Sequence, residues 1–204
     1  MAKKKAKKKA KKTARKAAPK SAIRDSITDA IKYPWNKMQR AFWFWLIIIP
    51  IFGWLPLYGY ILDVIENIVK GNDSALPKFG KYWPSFMQGL YYIIFSIILG
   101  VVLMIVMKIP LVGWIAYIYV VLITPMLVAN YAVKRNFGAF FDIGLATKVV
   151  FGHIIEYIVL ILKTIVVMLF WMICSIPIIT LIWTIPAMQF SSQFLLAQFF
   201  RKYK

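Results

Sequence analysis

Long apolar runs joined by short polar stretches make up most of the chain after residue 40. Four of them, Phe86–Met107, Ile109–Val133, Ile154–Cys174 and Pro177–Phe200, are each longer than about 20 residues. An α-helix of that length is roughly 30 Å long, which is enough to cross the hydrocarbon core of a bilayer. The pattern therefore predicts membrane-spanning helices.

The joints between these runs predict how neighbouring helices are arranged. Met107–Pro110 separates the first run from the second, and Cys174–Pro177 separates the third from the fourth. Connections this short place consecutive helices side by side and antiparallel. Two helical hairpins are expected, each with an Ile-Pro pair at its tip.

An earlier apolar patch, Ala41–Leu62, allows two interpretations: a single span that contains Pro50 and Pro56, or a third hairpin. The sequence IPIFGW at 49–54 is nearly repeated as IPLVGW at 109–114, and Ile-Pro-Ile begins again at 176. This repeat favours three hairpins in all. The first would have the arms Trp35–Ile49 and Trp54–Lys70.

A second echo supports the repeat. Ala129-Asn130-Tyr131 precedes a Lys-Arg pair, and Ala197-Gln198-Phe199 precedes an Arg-Lys pair.

The positions of the cations separate the two interpretations of the patch. If it crosses once, nine later cations lie outside; if it turns back, all nine lie inside and only Lys108 remains at an outer tip. The positive-inside tendency favours the hairpin, with both chain termini in the cytoplasm of a cell. Its arms amount to roughly 23–26 Å of helix, so it is expected to be short, with a re-entrant path as an alternative to full crossing. The nine are Lys70, Lys78, Lys81, Lys134, Arg135, Lys148, Arg201, Lys202 and Lys204.

Composition agrees with an all-α integral membrane bundle, residues 34–204, rather than a soluble domain. Hydrophobic residues make up 61% of the 204 positions, which is more than a soluble core of this size can bury. Ile23, Ile27 and Ile31 recur every four residues and Pro34 follows, which predicts an amphipathic surface helix over residues 21–33.

The N-terminal tail, residues 1–20, is rich in lysine and alanine, contains no acid and is expected to be disordered. Its cations favour contact with anionic lipid headgroups; nucleic acid, or no specific partner, are the alternatives. Protein partners are not predicted. The eleven cations are Lys3, Lys4, Lys5, Lys7, Lys8, Lys9, Lys11, Lys12, Arg15, Lys16 and Lys20.

Several motifs resemble a known family. The segment 59–68 (GYILDVIENI) is followed by Leu76-Pro77-x-Phe79 and by Tyr82-Trp83-x-x-Phe86-x-x-Gly89, and a later block contains Phe140-Phe141-Asp142. Together these resemble the prokaryotic multi-pass membrane family catalogued as domain of unknown function 4013, over roughly residues 33–203. The resemblance implies an integral membrane protein without an assigned activity, so it supplies no catalytic residues.

Two groups of polar residues are candidate intramembrane sites. Asp63, Glu66 and Asn67 share one helical face, either lining a cytoplasm-facing cavity or forming the wet side of a helix with a Glu66–Lys70 pair. Glu156 and Lys163 lie two turns apart on the third long run. Lys163 is a functional candidate by its depth; alternatively its side chain extends to the interface or pairs with Asp63 or Glu66.

The remaining chemistry predicts neither an enzyme nor a cofactor or metal site. Cys174 is the only cysteine and lies in an apolar run, His153 is the only histidine, and no nucleotide-binding or hydrolase signature occurs. A non-enzymatic scaffold or accessory membrane subunit is therefore expected. The rival is a small transporter or channel component, suggested by the broken first hairpin, the repeat and Lys163.

Overall fold

A computed structural model describes residues 22–204, except for the side chains of Ile47 and Ile178, and its regular structure is entirely helical. The predicted tail therefore lies outside the described residues. The 3₁₀ segments are Tyr33–Trp35, Met38–Ile48, Phe137–Phe141 and Ile178–Thr180. The α-helices are α1 (Ile27–Lys32), α2 (Trp54–Val69), α3 (Tyr82–Val106), α4 (Val112–Lys134), α5 (Ile143–Gly152), α6 (Ile154–Cys174) and α7 (Leu181–Tyr203).

Three of the helices within residues 22–204 are long and apolar enough to cross a membrane. These are α3, α4 and α6, with mean hydropathies of 2.6, 2.1 and 2.5 over their most apolar stretches. Only 11–28% of those stretches is buried inside the bundle, so most of their apolar side chains are at least partly exposed. Soluble proteins rarely expose apolar patches of that size. The predicted all-α, membrane-embedded class is confirmed at this level.

The fourth predicted span forms α7, which is not among the three candidate spans. Its sequence contains Gln189, Gln193 and Gln198 as well as adjacent serines, which lower its hydropathy. α7 contacts α1, α2, α4 and α6, and eleven of its side chains are buried. Aromatic rings surround it: Phe194 lies 4.7 Å from Tyr33, and Phe190 lies 5.7 Å from Tyr60, between ring centroids. The most polar long helix is thus the most enclosed.

α2 and α3 form an antiparallel pair whose backbones touch. A Cβ atom added at Gly59 would lie 2.0 Å from the carbonyl oxygen of Ser85, and one added at Gly89 would lie 1.8 Å from that of Leu55. Only glycine allows helices to approach this closely, as is common where membrane helices cross.

The first two Ile-Pro tips adopt the same turn, as their sequence repeat suggests. The residue after each proline, Ile51 or Leu111, has a positive φ of 59° or 66°. The following glycine, Gly53 or Gly113, donates its backbone N–H to the carbonyl of the isoleucine before the proline, at 3.0 and 2.8 Å. The third tip lacks that glycine and instead continues into the 3₁₀ turn Ile178–Thr180.

The first arm of the first hairpin is not the α-helix that was predicted over Trp35–Ile49. The chain breaks at Lys37, which has a left-handed φ of 66°, and continues as the 3₁₀ helix Met38–Ile48. A 3₁₀ helix rises about 2 Å per residue, so these 11 residues span roughly 22 Å, close to the length of the 16-residue α2. Stacking of Trp43 on Phe79, 4.4 Å between centroids, holds the extended arm.

The tip of the first hairpin lies beside the first third of α3. Leu55, just after the tip, meets Gly89, and the Tyr82 hydroxyl donates to the Phe52 carbonyl. From Gly89, α3 continues to Val106 for roughly another 25 Å. The α3–α4 hairpin therefore extends well beyond the tip of the first hairpin.

Alanine substitutions on α3 test the α2–α3 contact. Gly89→Ala should lower the free energy of unfolding by about 2–3 kcal/mol, because the added methyl group meets backbone atoms that cannot move independently. Gly100→Ala is the matched control, since a Cβ atom there has no neighbour within 4 Å. Thermal unfolding of both variants in mild detergent measures the difference. Equal stabilities would show that the two backbones are not in contact.

Candidate functional site

A groove between α6 and α7 gathers the most varied polar side chains into one concave space. Its volume is about 250 Å³, and the segment that precedes α1 closes one side. We call it the lateral groove. Its charged and amide residues are Asp25, Glu156, Lys163, Gln198 and Lys202.

Lys163, the cation of α6 that the sequence predicts to lie deep in the membrane, is bound by the segment that precedes α1. Its ammonium donates to the backbone carbonyl of Asp25 at 2.8 Å and lies 3.5 Å from that residue's carboxylate. Pairing with Asp63 or Glu66, one of the predicted alternatives, is wrong, because those carboxylates bind a different cation. The segment reaches Lys163 because Ala30 and Tyr33 pack into the bundle.

The start of α1 is fixed by local capping. The Ser26 hydroxyl accepts from the Asp29 backbone N–H at 3.1 Å, and the Arg24 guanidinium donates to the Asp29 carboxylate at 2.6 Å. This hydrogen bond from Arg24 lowers the pKa of Asp29 below its ordinary value. The cap sets the direction in which the chain enters the lateral groove. Contact of this helix with a membrane surface stays a prediction.

Gln198 connects the floor of the lateral groove to a buried aspartate. The side chain of Gln198 is fully buried, and its amide nitrogen donates to Asp73 at 2.6 Å. Arg201 lies 3.5 Å from the same carboxylate oxygen. The loop after α2 is thereby fixed to the end of α7, and this network helps to hold α7 in place.

A second polar cluster joins α2, α3 and the end of α4 around Arg135. Its guanidinium donates to Asp63 at 2.6 Å and to Glu66 at 2.7 and 3.0 Å, and it also donates to Gln88. Lys70 pairs with Glu66, as predicted for residues four apart. We call this the Arg135 cluster. Roughly a fifth of the Arg135, Asp63 and Glu66 side chains is exposed.

Asn67 does not take part in the Arg135 cluster. Its amide nitrogen donates to the backbone carbonyl of Asp63 at 2.9 Å, one turn earlier in the same helix. The predicted polar face is therefore divided between two carboxylates that bind Arg135 and an amide that binds its own helix.

A third polar site is formed by Asn130, the residue that occupies the same place as Gln198 in the two similar segments 129–131 and 197–199. The Asn130 amide, fully buried, donates to the Ala139 carbonyl at 2.9 Å and lies 3.5 Å from the Asp142 carboxylate. Lys134 binds the same carboxylate at 2.9 Å, and this hydrogen bond lowers the pKa of Asp142. Asn130 thus corresponds to Gln198: in each case a buried amide and a nearby cation meet one aspartate.

The predicted polar residues therefore form two separate groups. Asp63 and Glu66 share the Arg135 cluster, whereas Glu156 and Lys163 share the lateral groove. In the part of the chain that the structure describes, no set of three or more His, Cys, Asp or Glu side chains is arranged to hold a metal ion.

Sequence reasoning missed Asp25, Asp73 and Arg201 as site residues. Asp73 stands in the polar loop Gly-Asn-Asp-Ser, and Asp25 lies outside the apolar runs, so neither position carries a hydropathy signal. The echo between Asn130 and Gln198 was the available signal, because it pointed to two equivalent amides that each needed a partner.

Charge-removing variants test the Arg135 cluster. Arg135→Met should destabilise the protein by about 1–2 kcal/mol, because two partly buried carboxylates lose their common partner. Adding Asp63→Asn and Glu66→Gln should restore most of that loss. Lys134→Met is the control, since its pair with Asp142 is more exposed and should change the stability much less. Thermal unfolding compares the three variants with the unmodified protein. Failure of the triple variant to recover stability would contradict mutual charge compensation.

Comparison with known proteins places the chain in a family but gives it no activity. No curated protein and no solved structure matches it. The family described as "Protein of unknown function (DUF4013)" matches residues 42–180, a shorter stretch than the sequence motifs suggested. That region runs from the first hairpin to the third Ile-Pro tip and contains the Arg135 cluster, α3, α4 and α6. The chain therefore belongs to the DUF4013 family.

Proposed function

We propose that this protein is a non-enzymatic scaffold or accessory subunit of the cell membrane, built from three helical hairpins with both termini in the cytoplasm. The proposal rests on one observation: apolar side chains and charged side chains occupy different parts of the molecule. α3, α4 and α6 turn apolar side chains outward, while charged groups are bound to one another within the chain. Such a frame offers lipid-facing and partner-facing surfaces and pairs most of its acidic side chains within the chain.

The end at which the ion pairs gather supports this orientation. Arg135 and Lys134 terminate α4, Lys70 follows α2, and Arg201 lies in the last turn of α7. Each has an acidic partner in the same region. Among the cations that follow the first hairpin, Lys108 alone lies at an Ile-Pro tip, in the turn between α3 and α4. By the positive-inside tendency the crowded end faces the cytoplasm.

The first hairpin fits a re-entrant path in this arrangement. Its tip lies beside the first third of α3, and its first arm is a 3₁₀ helix. Non-α backbone is tolerated at membrane depth where protein surrounds it. Contacts of the arm with α2 and α7 provide that cover.

The basic tail would hold the cytoplasmic end against anionic lipid. Its eleven cations precede a segment that is anchored in the bundle through Asp25 and Lys163. Each Lys or Arg near an anionic surface contributes about 1 kcal/mol of attraction. Nucleic acid, as another polyanion, is the competing partner.

Cysteine labelling tests the orientation. In a Cys174→Ser background, Lys108→Cys should react with a membrane-impermeant maleimide added to intact cells, and Lys78→Cys should react only after lysis. Phe52→Cys should resist the reagent from either side if the first hairpin is re-entrant. Both lysines are exposed in the structure, so poor access within the fold would not explain a missing signal. Labelling of residue 78 on intact cells would overturn the proposed layout.

Fluorescence transfer tests the role of the tail. Labelled Ala2→Cys protein, also in the Cys174→Ser background, is placed in nanodiscs whose headgroups carry an acceptor. Transfer should be higher in phosphatidylglycerol discs than in phosphatidylcholine discs, and it should fall with added salt because screening weakens the attraction. The matched control replaces all eleven tail cations by glutamine. Equal transfer for both proteins would contradict lipid contact, and its loss on addition of RNA would favour the nucleic-acid alternative.

A small transporter or channel component is the second candidate. The broken first hairpin favours it, since discontinuous helices are common at transport sites. Both repeated tips run in the same direction, however, which differs from the inverted repeats of many transporters. Flux of an ion or solute through the reconstituted protein would favour this candidate over the scaffold.

A further inference from the structure

The lateral groove contains two charged groups that form no ion pair among the described residues, Glu156 and Lys202. Lys163 is bound to Asp25, but within residues 22–204 the Glu156 carboxylate forms no hydrogen bond or ion pair with another side chain. Lys202 is exposed, with its ammonium 5.0 Å from the centroid of the Tyr203 ring. A carboxylate and an ammonium group thus line the same space of about 250 Å³.

The groove also contains a buried acceptor without a hydrogen-bond donor in the described part of the chain, the side-chain oxygen of Gln198. Its nitrogen is bound to Asp73, but its oxygen Oε1 has no donor among the described residues, although the side chain is fully buried. A buried carbonyl oxygen without a partner is unfavourable, and a ligand carrying N–H groups would relieve it.

An apolar path leaves the groove along α6. Ile155 and Val159 line the groove itself, and an exposed stripe continues from them toward the third tip with helical spacing. The stripe is about 21 Å long, comparable to one leaflet of a bilayer with its headgroup region. Its members are Ile155, Val159, Leu162, Val166 and Leu169.

We propose that the lateral groove binds the headgroup of a phospholipid with a primary amine, the chemistry of phosphatidylethanolamine. The ammonium meets Glu156 and supplies the donor that Gln198 lacks, the phosphate meets Lys202, and an acyl chain follows the stripe on α6. The groove has two carboxylates and two ammonium groups, so its charge is balanced. This balance favours a zwitterionic headgroup over an anionic one. The site is independent of the tail and of its proposed contact with anionic lipid.

Native mass spectrometry of the full chain tests this site. The protein in mild detergent is titrated with phosphatidylethanolamine, phosphatidylcholine and phosphatidylglycerol of identical acyl chains. Phosphatidylethanolamine should bind at least about fivefold more tightly than phosphatidylcholine, whose methylated nitrogen has no N–H to donate. Glu156→Gln should abolish that preference, and Lys202→Gln should weaken both zwitterionic lipids. Lys148→Gln is the control, because Lys148 is an exposed residue of α5 that does not line the groove, and it should change neither affinity.

The proposal would be overturned by equal affinities for the two zwitterionic lipids, by a preference that survives Glu156→Gln, or by tighter binding of phosphatidylglycerol to the protein without residues 1–20. Because the Glu156 carboxylate has no hydrogen-bond or ion-pair partner among residues 22–204, a folding defect is not expected, and an unchanged melting temperature verifies this. Deletion of residues 1–20 should leave the preference intact. If the deletion removes it, the lipid binds the tail and the groove is not the site.

Discussion

α7 carries too many amides and hydroxyls to face lipid on all sides, and the rest of the bundle satisfies that constraint. A polar group left unpaired in a bilayer is costly, so such a helix must be enclosed by protein. α1, α2, α4 and α6 supply this cover, with aromatic rings from Tyr33 and Tyr60 packed on its phenylalanines. The apolar helices can then lie outside, where hydrocarbon is a suitable neighbour.

Each junction between hairpins is fixed by the same kind of polar contact. Asp73 joins the loop after α2 to Gln198 and Arg201 of α7, and Asp142 joins the start of α5 to α4. Arg135 joins α2 to α4 directly. Aspartates and arginines near the helix ends thus fix how the hairpins sit against one another, while glycine contacts fix how closely α2 approaches α3. This arrangement suits a rigid frame better than a bundle with a polar interior path.

The lateral groove differs from these junctions because its charges are not all engaged. Lys163 anchors the N-terminal segment, whereas in the part of the chain that the structure describes the Glu156 carboxylate and the Gln198 side-chain oxygen have no hydrogen-bond partner. The segment that binds Lys163 leads directly to the basic tail. The proposed lipid contact of the tail and the proposed lipid site in the groove would therefore both lie near the start of α6.

The sequence by itself determined the helical, membrane-embedded class and the two Ile-Pro turns of identical form, because apolar run length and local repeats act over short distances. It also predicted the Glu66–Lys70 pair, which depends only on helical spacing. The 3₁₀ first arm, the enclosure of α7 and the partners of Lys163 and Arg135 were decided by tertiary structure. Arg135 and Glu66 are 69 positions apart, and Lys163 and Asp25 are 138 apart. No local pattern specifies which acid meets which cation across such separations.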